Sequence, residues 1–311
     1  MILRRVDAFQ QRHAVPGFGY AVIRKFLDDA GMREAALITY YGFLSMFPLL
    51  LLGVAIVSEV LSRRPELRTS VVEAIVPPVL QDGINSAMAD LSSSSVAFIA
   101  GVIGLVYSGL GVVVSASDTL NHVAAVPFRL RAGVIARYLR AIAGLAVILA
   151  GTIAVGGLTV AATLLPAFSL AGSLLGSCAV AFAVLLAGSR ILLCRHAPFR
   201  ALWPGALAGA LAVTVILNVG AIVLPELVRR AGRVYGGFAT VAGVFTLLYI
   251  LSNALVLAAE IAAVRYARLW PRTLDFARPV PADARAMDLL AREQERMPAE
   301  TIRYELRDPP G

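Results

Sequence analysis

The stretch from Ala141 to Ser189, AIAGLAVILAGTIAVGGLTVAATLLPAFSLAGSLLGSCAVAFAVLLAGS, runs for 49 residues without a charge between Arg140 and Arg190. A helix rises about 1.5 Å per residue, so a single helix of that length would be more than twice as long as the ~30 Å hydrocarbon layer is thick. Pro166, near the middle, lacks the N–H that a helix interior needs and offers a turn, dividing the run into spans near 141–165 and 169–193. Counting two crossings here rather than one puts the two ends of the chain on the same side of the membrane.

Four further runs carry no charge: Ala35 to Ser58, Leu91 to Ser117, Ala201 to Pro225 and Val234 to Ala259. Each crosses once, giving spans near 35–58, 93–117, 201–224 and 238–260, and six in all. The predicted fold class is all-α: a polytopic membrane protein, a six-transmembrane-helix bundle with an N-terminal amphipathic helix. Composition agrees, with 59% of the 311 residues hydrophobic and 15% charged, against about 45–50% and 25% in soluble domains. An ordinary cytosolic enzyme is excluded.

The position of the charges sets the orientation. The chain has 27 arginines and one lysine, Lys25, against 20 acidic residues, for a net charge of +8. With six spans the flanks alternate between faces, so 22 of the 28 basic residues share the face that holds both termini and 6 lie on the other. The positive-inside rule then makes both termini cytoplasmic.

Residues 1–34 read as a cytoplasmic segment, 35–264 as the membrane domain and 265–311 as a cytoplasmic tail, partly disordered. Residues 19–34 form the predicted amphipathic helix, with Val22, Ile23, Phe26, Leu27 and Ala30 on one face and Arg24, Lys25 and Asp28 beside it. Pro77-Pro78 breaks the 59–95 loop into two short candidate helices. The tail has one candidate helix around Ala282 to Met297 and a disordered end at Asp308-Pro309-Pro310. The first apolar run starts behind a long polar segment, so no secretory signal peptide is expected.

Several chemistries lack their residues. His13, His122 and His196 are scattered outside the uncharged runs, and no Cys/His/Asp grouping has metal-ligand spacing. Cys178 and Cys194 stand 16 residues apart, about 24 Å along a helix, too far to bridge. No metal, cofactor or disulfide is expected. No span pairs a nucleophile with a histidine or lysine, and no G-x-x-x-x-G-K-[ST] loop is present, which excludes intramembrane proteolysis and ATP-driven pumping by this chain. No ionisable group lies near the middle of a span, which speaks against proton- or sodium-coupled transport. The neutral polar groups of the spans, such as Ser45, Ser108 and Asn253, read as bonds across helices, and Gly205-x-x-x-Gly209 reads as close helix packing.

The stretch Ala36-Leu37-Ile38-Thr39-Tyr40-Tyr41-Gly42-Phe43-Leu44-Ser45-Met46-Phe47-Pro48 resembles the opening signature of the YihY/BrkB family of bacterial inner-membrane proteins. Leu120-Asn121, Trp203-Pro204-Gly205-Ala206, Tyr235-Gly236 and Ala259-Glu260 are similar to its later blocks and occur in family order. The resemblance spans about residues 20 to 270. Two departures stand out: Ala124 where an aromatic is common, and Ala258-Ala259-Glu260-Ile261-Ala262 in place of Gly-Ala-Glu followed by Asn. The resemblance implies a six-helix inner-membrane protein linked to envelope integrity and, in a pathogen, to serum resistance. The family also carries an old ribonuclease label, but RNA cleavage needs metal-binding carboxylates or a His/Lys acid-base pair on a wet platform, and the sequence has neither. Neither catalysis nor a nucleic-acid partner is expected.

On this topology the family-like residues collect at the inner-leaflet level. Tyr40 and Tyr41 lie about 8 Å above the inner end of the first span, Asp118, Asn121 and Glu260 close the second and sixth, and Trp203 opens the fifth. Pro48 is expected to break the first helix just above and free backbone carbonyls. A polar pocket built by Tyr40, Tyr41, Ser45, Asp118, Asn121 and Glu260, with Pro48 and Trp203 at its border, would receive an anionic headgroup drawn by the arginine rim, as suits a transporter or flippase-like protein for a lipid or amphiphile. Two alternatives stay open. Asp118 and Glu260 bind arginines such as Arg129, Arg137 or Arg265 while Tyr40 and Trp203 anchor the interface; or the protein is a non-catalytic scaffold for envelope-assembly partners.

Overall fold

The computed structural model describes residues 2–62, 95–164, 170–275 and 278–305. Among these residues there are nine α-helices and no strand: α1 (Ile2–Arg12), α2 (Ala14–Asp28), α3 (Gly31–Ser62), α4 (Ser95–Val123), α5 (Val134–Leu164), α6 (Leu170–Leu192), α7 (Phe199–Tyr235), α8 (Gly237–Ala267) and α9 (Pro281–Glu293). Six of them, α3 to α8, are long and apolar enough to cross a membrane. The division of the long apolar run holds, with α5 ending and α6 beginning on either side of 165–169, although Pro166 itself lies outside the described residues. So do the Pro77-Pro78 loop and the end at Asp308-Pro309-Pro310.

Small residues set how the spans pair. A Cβ on Gly144 would stand 3.1 Å from the Leu192 side chain, and one on Gly151 would stand 2.3 Å from Val184, so α5 and α6 run antiparallel at close range. A Cβ on Gly205 would lie 2.6 Å from the Ala258 carbonyl, and one on Gly209 would lie 3.4 Å from the Ala258 Cβ, which seats the first turns of α7 on α8. On α4, a Cβ on Gly104 would stand 3.1 Å from the Pro48 side chain and one on Gly111 would stand 2.5 Å from the Tyr41 ring, so α3 and α4 are again antiparallel. Close approach of this kind substitutes for a hydrophobic driving force, which helices in lipid lack.

The structure corrects three boundaries. The amphipathic helix is α2, ending at Asp28 rather than 34, because Gly31 lies under the Phe26 ring, where a Cβ would be 2.3 Å away, and Ala30 turns the chain at φ 52°. Pro48 does not break the first span: α3 runs through it, with the ring seated against Gly104. The polar flank at 226–233 is helical too, because Glu226 pairs with Arg229 and Arg230 at 2.7 and 2.6 Å on its own surface.

The chain divides into two compact units, one of Met1–Ile38, Val113–Ile222 and Tyr249–Gly311, the other of Thr39–Val112 and Val223–Leu248. The core of the first unit joins α2 (Ala21, Val22) to the end of α8 (Val264), to Leu269 and to Ala286 of α9, with Phe18 edge-on to Trp270 at 5.4 Å. The tail is therefore folded onto its own unit as far as it is described. Asp7 of α1 accepts the Leu274 N–H at 2.9 Å, and the Gln10 side chain donates to the Arg272 carbonyl at 2.5 Å. The tail helix, predicted around 282–297, begins with Pro281 in its first turn and stops at Glu293.

Candidate functional site

Every helix leaves its last carbonyls without intrahelical partners, and in the first unit the polar residues of the signature blocks meet such ends. Asn121 is buried in the last turn of α4. Its amide nitrogen donates to the Ser117 carbonyl at 2.7 Å and to the Leu192 carbonyl, at the end of α6, at 3.1 Å. Its amide oxygen accepts the Cys194 N–H at 2.8 Å, and Ser117 Oγ donates to the same Leu192 carbonyl at 3.1 Å. Only a side chain carrying donor and acceptor on one head does both. Asn121 thus clamps the exit of α6.

One turn further on, Lys25 of α2 is buried against the end of α4. Its ammonium donates to the carboxylate of Asp29 and to the Val123 carbonyl at 2.9 Å, and forms an ion pair with Glu260 Oε2 of α8 at 3.0 Å. Glu260 is 0% exposed. Burial alone would pull the Lys25 pKa down, but the carboxylates of Glu260 and Asp29 outweigh it and the pKa lies above the usual lysine value. Two carboxylates share one ammonium, and both oxygens of Glu260 and Asp29 Oδ1 have no hydrogen-bond partner.

The same end of α4 carries His122, whose ring meets an acceptor at each nitrogen: Glu293 of α9 at 2.8 Å and the Asp29 carbonyl at 3.0 Å. Arg131 adds a second hold on Glu293 at 2.5 Å, and Arg129 takes Glu295 at 2.9 Å. Beneath α2, Arg272 bridges Asp28 at 3.0 Å and Asp283 at 2.5 Å.

Beside the Asn121 clamp lies a cavity of about 260 Å³, lined by Arg140 of α5, Arg190 of α6, and Cys194, Arg195, His196 and Leu202. Among the described residues none of the three arginines has a carboxylate partner. Their neighbours differ: Arg137, one turn before Arg140, is paired with Asp118. Arg195 instead lies over the Tyr266 ring at 5.5 Å, and Nη1 of Arg140 is shielded from solvent with no hydrogen-bond partner. Among the described residues no group of three or more His, Cys, Asp or Glu is placed to hold a metal ion.

A family model described as virulence factor BrkB matches residues 22–278. The chain belongs to the BrkB family. No curated protein and no solved structure matches it significantly. The BrkB family match and the six apolar helices make it a multi-pass membrane protein.

In this BrkB family protein the eight residues singled out from the sequence fall into both units. Asp118, Asn121, Trp203 and Glu260 belong to the first. Contacts bring them to one end of its helices: Asp118 with Arg137, Asn121 with the end of α6, Glu260 through Lys25 to the end of α4, and Trp203 under Arg265 of α8 at 5.5 Å. Tyr40, Tyr41, Ser45 and Pro48 belong to the second. There Tyr40 is 54% exposed with its ring 5.2 Å from that of Tyr41, and Ser45 Oγ donates to the Gly42 carbonyl at 2.7 Å. The partner of Glu260 is Lys25, not one of the arginines named from the sequence. Sequence reading also passed over Lys25 and Asp29 as core residues, and Arg140, Arg190 and Arg195 as one cluster. The available signal was a lone lysine on the apolar edge of an amphipathic helix in a chain otherwise basic through arginine.

Proposed function

We propose that this BrkB family protein moves an anionic lipid or amphiphile between the leaflets of the bacterial inner membrane, as a transporter or flippase-like protein serving envelope integrity, without catalysing a reaction of its own. The observation that carries the reading is the cavity walled by three arginines that no carboxylate of the described chain neutralises. Clefts lined by one sign of charge concentrate ligands of the other sign. Both termini are taken as cytoplasmic, from the 22 basic residues against 6, so the cavity opens at the inner leaflet, where juxtamembrane arginines attract anionic headgroups at about 1 kcal/mol each. Membrane lipids are then the partners, and nucleic acid has no part. Asn121 and Trp203 frame this end, while Asp118 and Glu260 are engaged by Arg137 and Lys25, so headgroup contacts fall to the unpaired arginines.

The rival reading is a membrane scaffold that docks envelope-assembly proteins through α2 and the tail. Those elements use Lys25, Arg272, Glu293 and Glu295 on their own unit, which favours the translocase. The test is reconstitution of the full chain in vesicles with a fluorescent phosphatidylglycerol in both leaflets. A bleaching reagent outside should reach nearly all of the probe with the wild type and about half with Asn121→Ala; a wild type that leaves half protected refutes translocation. Cys194 provides the orientation test, since an impermeant maleimide should label it in inverted vesicles and not in right-side-out ones.

A further inference from the structure

Three arginines that line one cavity without an acid favour a ligand that carries more than one negative charge in a small volume. We infer that the cavity lined by Arg140, Arg190 and Arg195 is a binding site for a terminal phosphate, a monoester or pyrophosphate group, carried by a lipid headgroup or by a soluble phosphate compound. The inference rests on the translocase reading only for the use made of the bound group.

Four observations support it. A phosphate monoester carries about −1.5 to −2 at neutral pH and three acceptor oxygens, whereas a diester or carboxylate carries −1. Guanidinium forks match phosphate oxygens bidentately, and Arg140 has an Nη1 that is already withdrawn from water and lacks a partner, as a bound oxyanion would supply. Arg195 is oriented by the Tyr266 ring, and the wall at Cys194 is fixed through the Asn121 amide, so two sides of the cavity are built before a ligand arrives. The volume, about 260 Å³, lies below the ~300–1,000 Å³ of pockets that enclose a whole drug-sized molecule. It holds a headgroup, and acyl chains would stay in lipid.

Asn121 also gains a role here. By pinning the Leu192 carbonyl and the Cys194 N–H it sets the angle at which the segment carrying Arg195 and His196 leaves α6. It is a positioning residue for the cavity.

The experiment uses the full chain in phosphatidylcholine nanodiscs, with three probes: dioleoyl phosphatidic acid, dioleoyl phosphatidylglycerol and inorganic pyrophosphate. Binding is read by native mass spectrometry and by titration. R140Q/R195Q is compared with R229Q/R230Q, which removes the same charge from arginines paired with Glu226. Phosphatidic acid should bind more tightly than phosphatidylglycerol, and its affinity should fall at least about tenfold in R140Q/R195Q and not in the control. Competition by pyrophosphate against bound phosphatidic acid assigns the site to a lipid phosphate, while pyrophosphate binding without phosphatidic acid binding assigns it to a soluble one. Equal binding of monoester and diester lipid, or unchanged binding in a folded R140Q/R195Q, overturns the inference. Should that variant fail to fold, Arg190→Gln alone is held to the same criterion. Phosphate binding without lipid movement would refute the translocase and keep the site, and lipid movement by a wild type that binds monoester and diester equally would keep the translocase and refute the site.

Discussion

Lys25 Nζ stands 3.0 Å from Glu260 Oε2, so a helix that is not one of the six spans is locked to the last of them by a buried charge pair. Removing one partner of such a pair strands the other, and that costs more than the pair contributes. Lys25→Met should destabilise the protein by about 3–5 kcal/mol. Adding Glu260→Gln and Asp29→Asn to it should recover much of the loss, because no uncompensated charge then remains. Thermal unfolding in detergent measures both, and a Lys25→Met variant as stable as the wild type contradicts the arrangement.

Asn121 joins α4 to the exit of α6 through bonds to Leu192 and Cys194. Asn121→Ala leaves the Cys194 N–H unpaired, at about 1–3 kcal/mol, and the Leu192 carbonyl held by Ser117 alone. The exit of α6 should loosen, and the Cys194 thiol should react faster with maleimide while Cys178, well inside α6, keeps its rate. Equal acceleration at both cysteines would mean general unfolding and not a local clamp.

Asp7 ties α1 to the tail. Burial raises its pKa, but the Leu274 N–H and the Gln10, Gln11 and Thr273 side chains together outweigh this and hold the carboxyl below the usual range. A carboxyl depressed in the folded state stabilises fully above its unfolded pKa of about 3.9 and loses that contribution as pH falls through the folded value. Acidification below about pH 4 should therefore lower the protection of the Leu274 amide, its hydrogen-exchange rate taken relative to the intrinsic rate at the same pH. Asp7→Asn should show the lower protection already at neutral pH and little further change on acidification.

Ala30 and Ala125 sit on either side of the Lys25 cluster with φ of 52° and 49°, in the left-handed region that costs a residue with a Cβ about 1–2 kcal/mol. Ala30→Gly and Ala125→Gly should each raise stability, by up to about 1 kcal/mol after the added freedom of the unfolded chain is subtracted. A drop in unfolding temperature for either would argue against these turns.

The spans were legible because hydrocarbon demands a fixed apolar length, and Ala141 to Ser189 could satisfy it only as two crossings. Alternating direction also sorts residues by depth, which is what grouped Asp118, Asn121, Trp203 and Glu260 with Tyr40, Tyr41, Ser45 and Pro48 in the sequence, whereas the structure divides these eight between its two units. What escaped was lateral: depth does not say which neighbour a side chain meets. Glu260 looked as though it needed an arginine because arginines surround it in sequence, yet its partner arrives on α2 from the far end of the chain. The tail read as polar and loose because several of its buried contacts, such as Glu293 with His122 and Arg131, are ion pairs, which leave no apolar periodicity. Pro48 looked like a breaker because its missing N–H is visible in sequence, whereas the glycine that accommodates it lies on another helix.

Because Lys25 is the sole lysine of the chain and is sealed between Asp29, Glu260 and the Val123 carbonyl, the native fold conceals its one side-chain primary amine. Endoproteinase Lys-C and amine-acylating dyes will therefore act on that side chain only when α2 lifts away, which gives the molecule an intrinsic reporter for the detachment of its N-terminal arm that needs no engineered label.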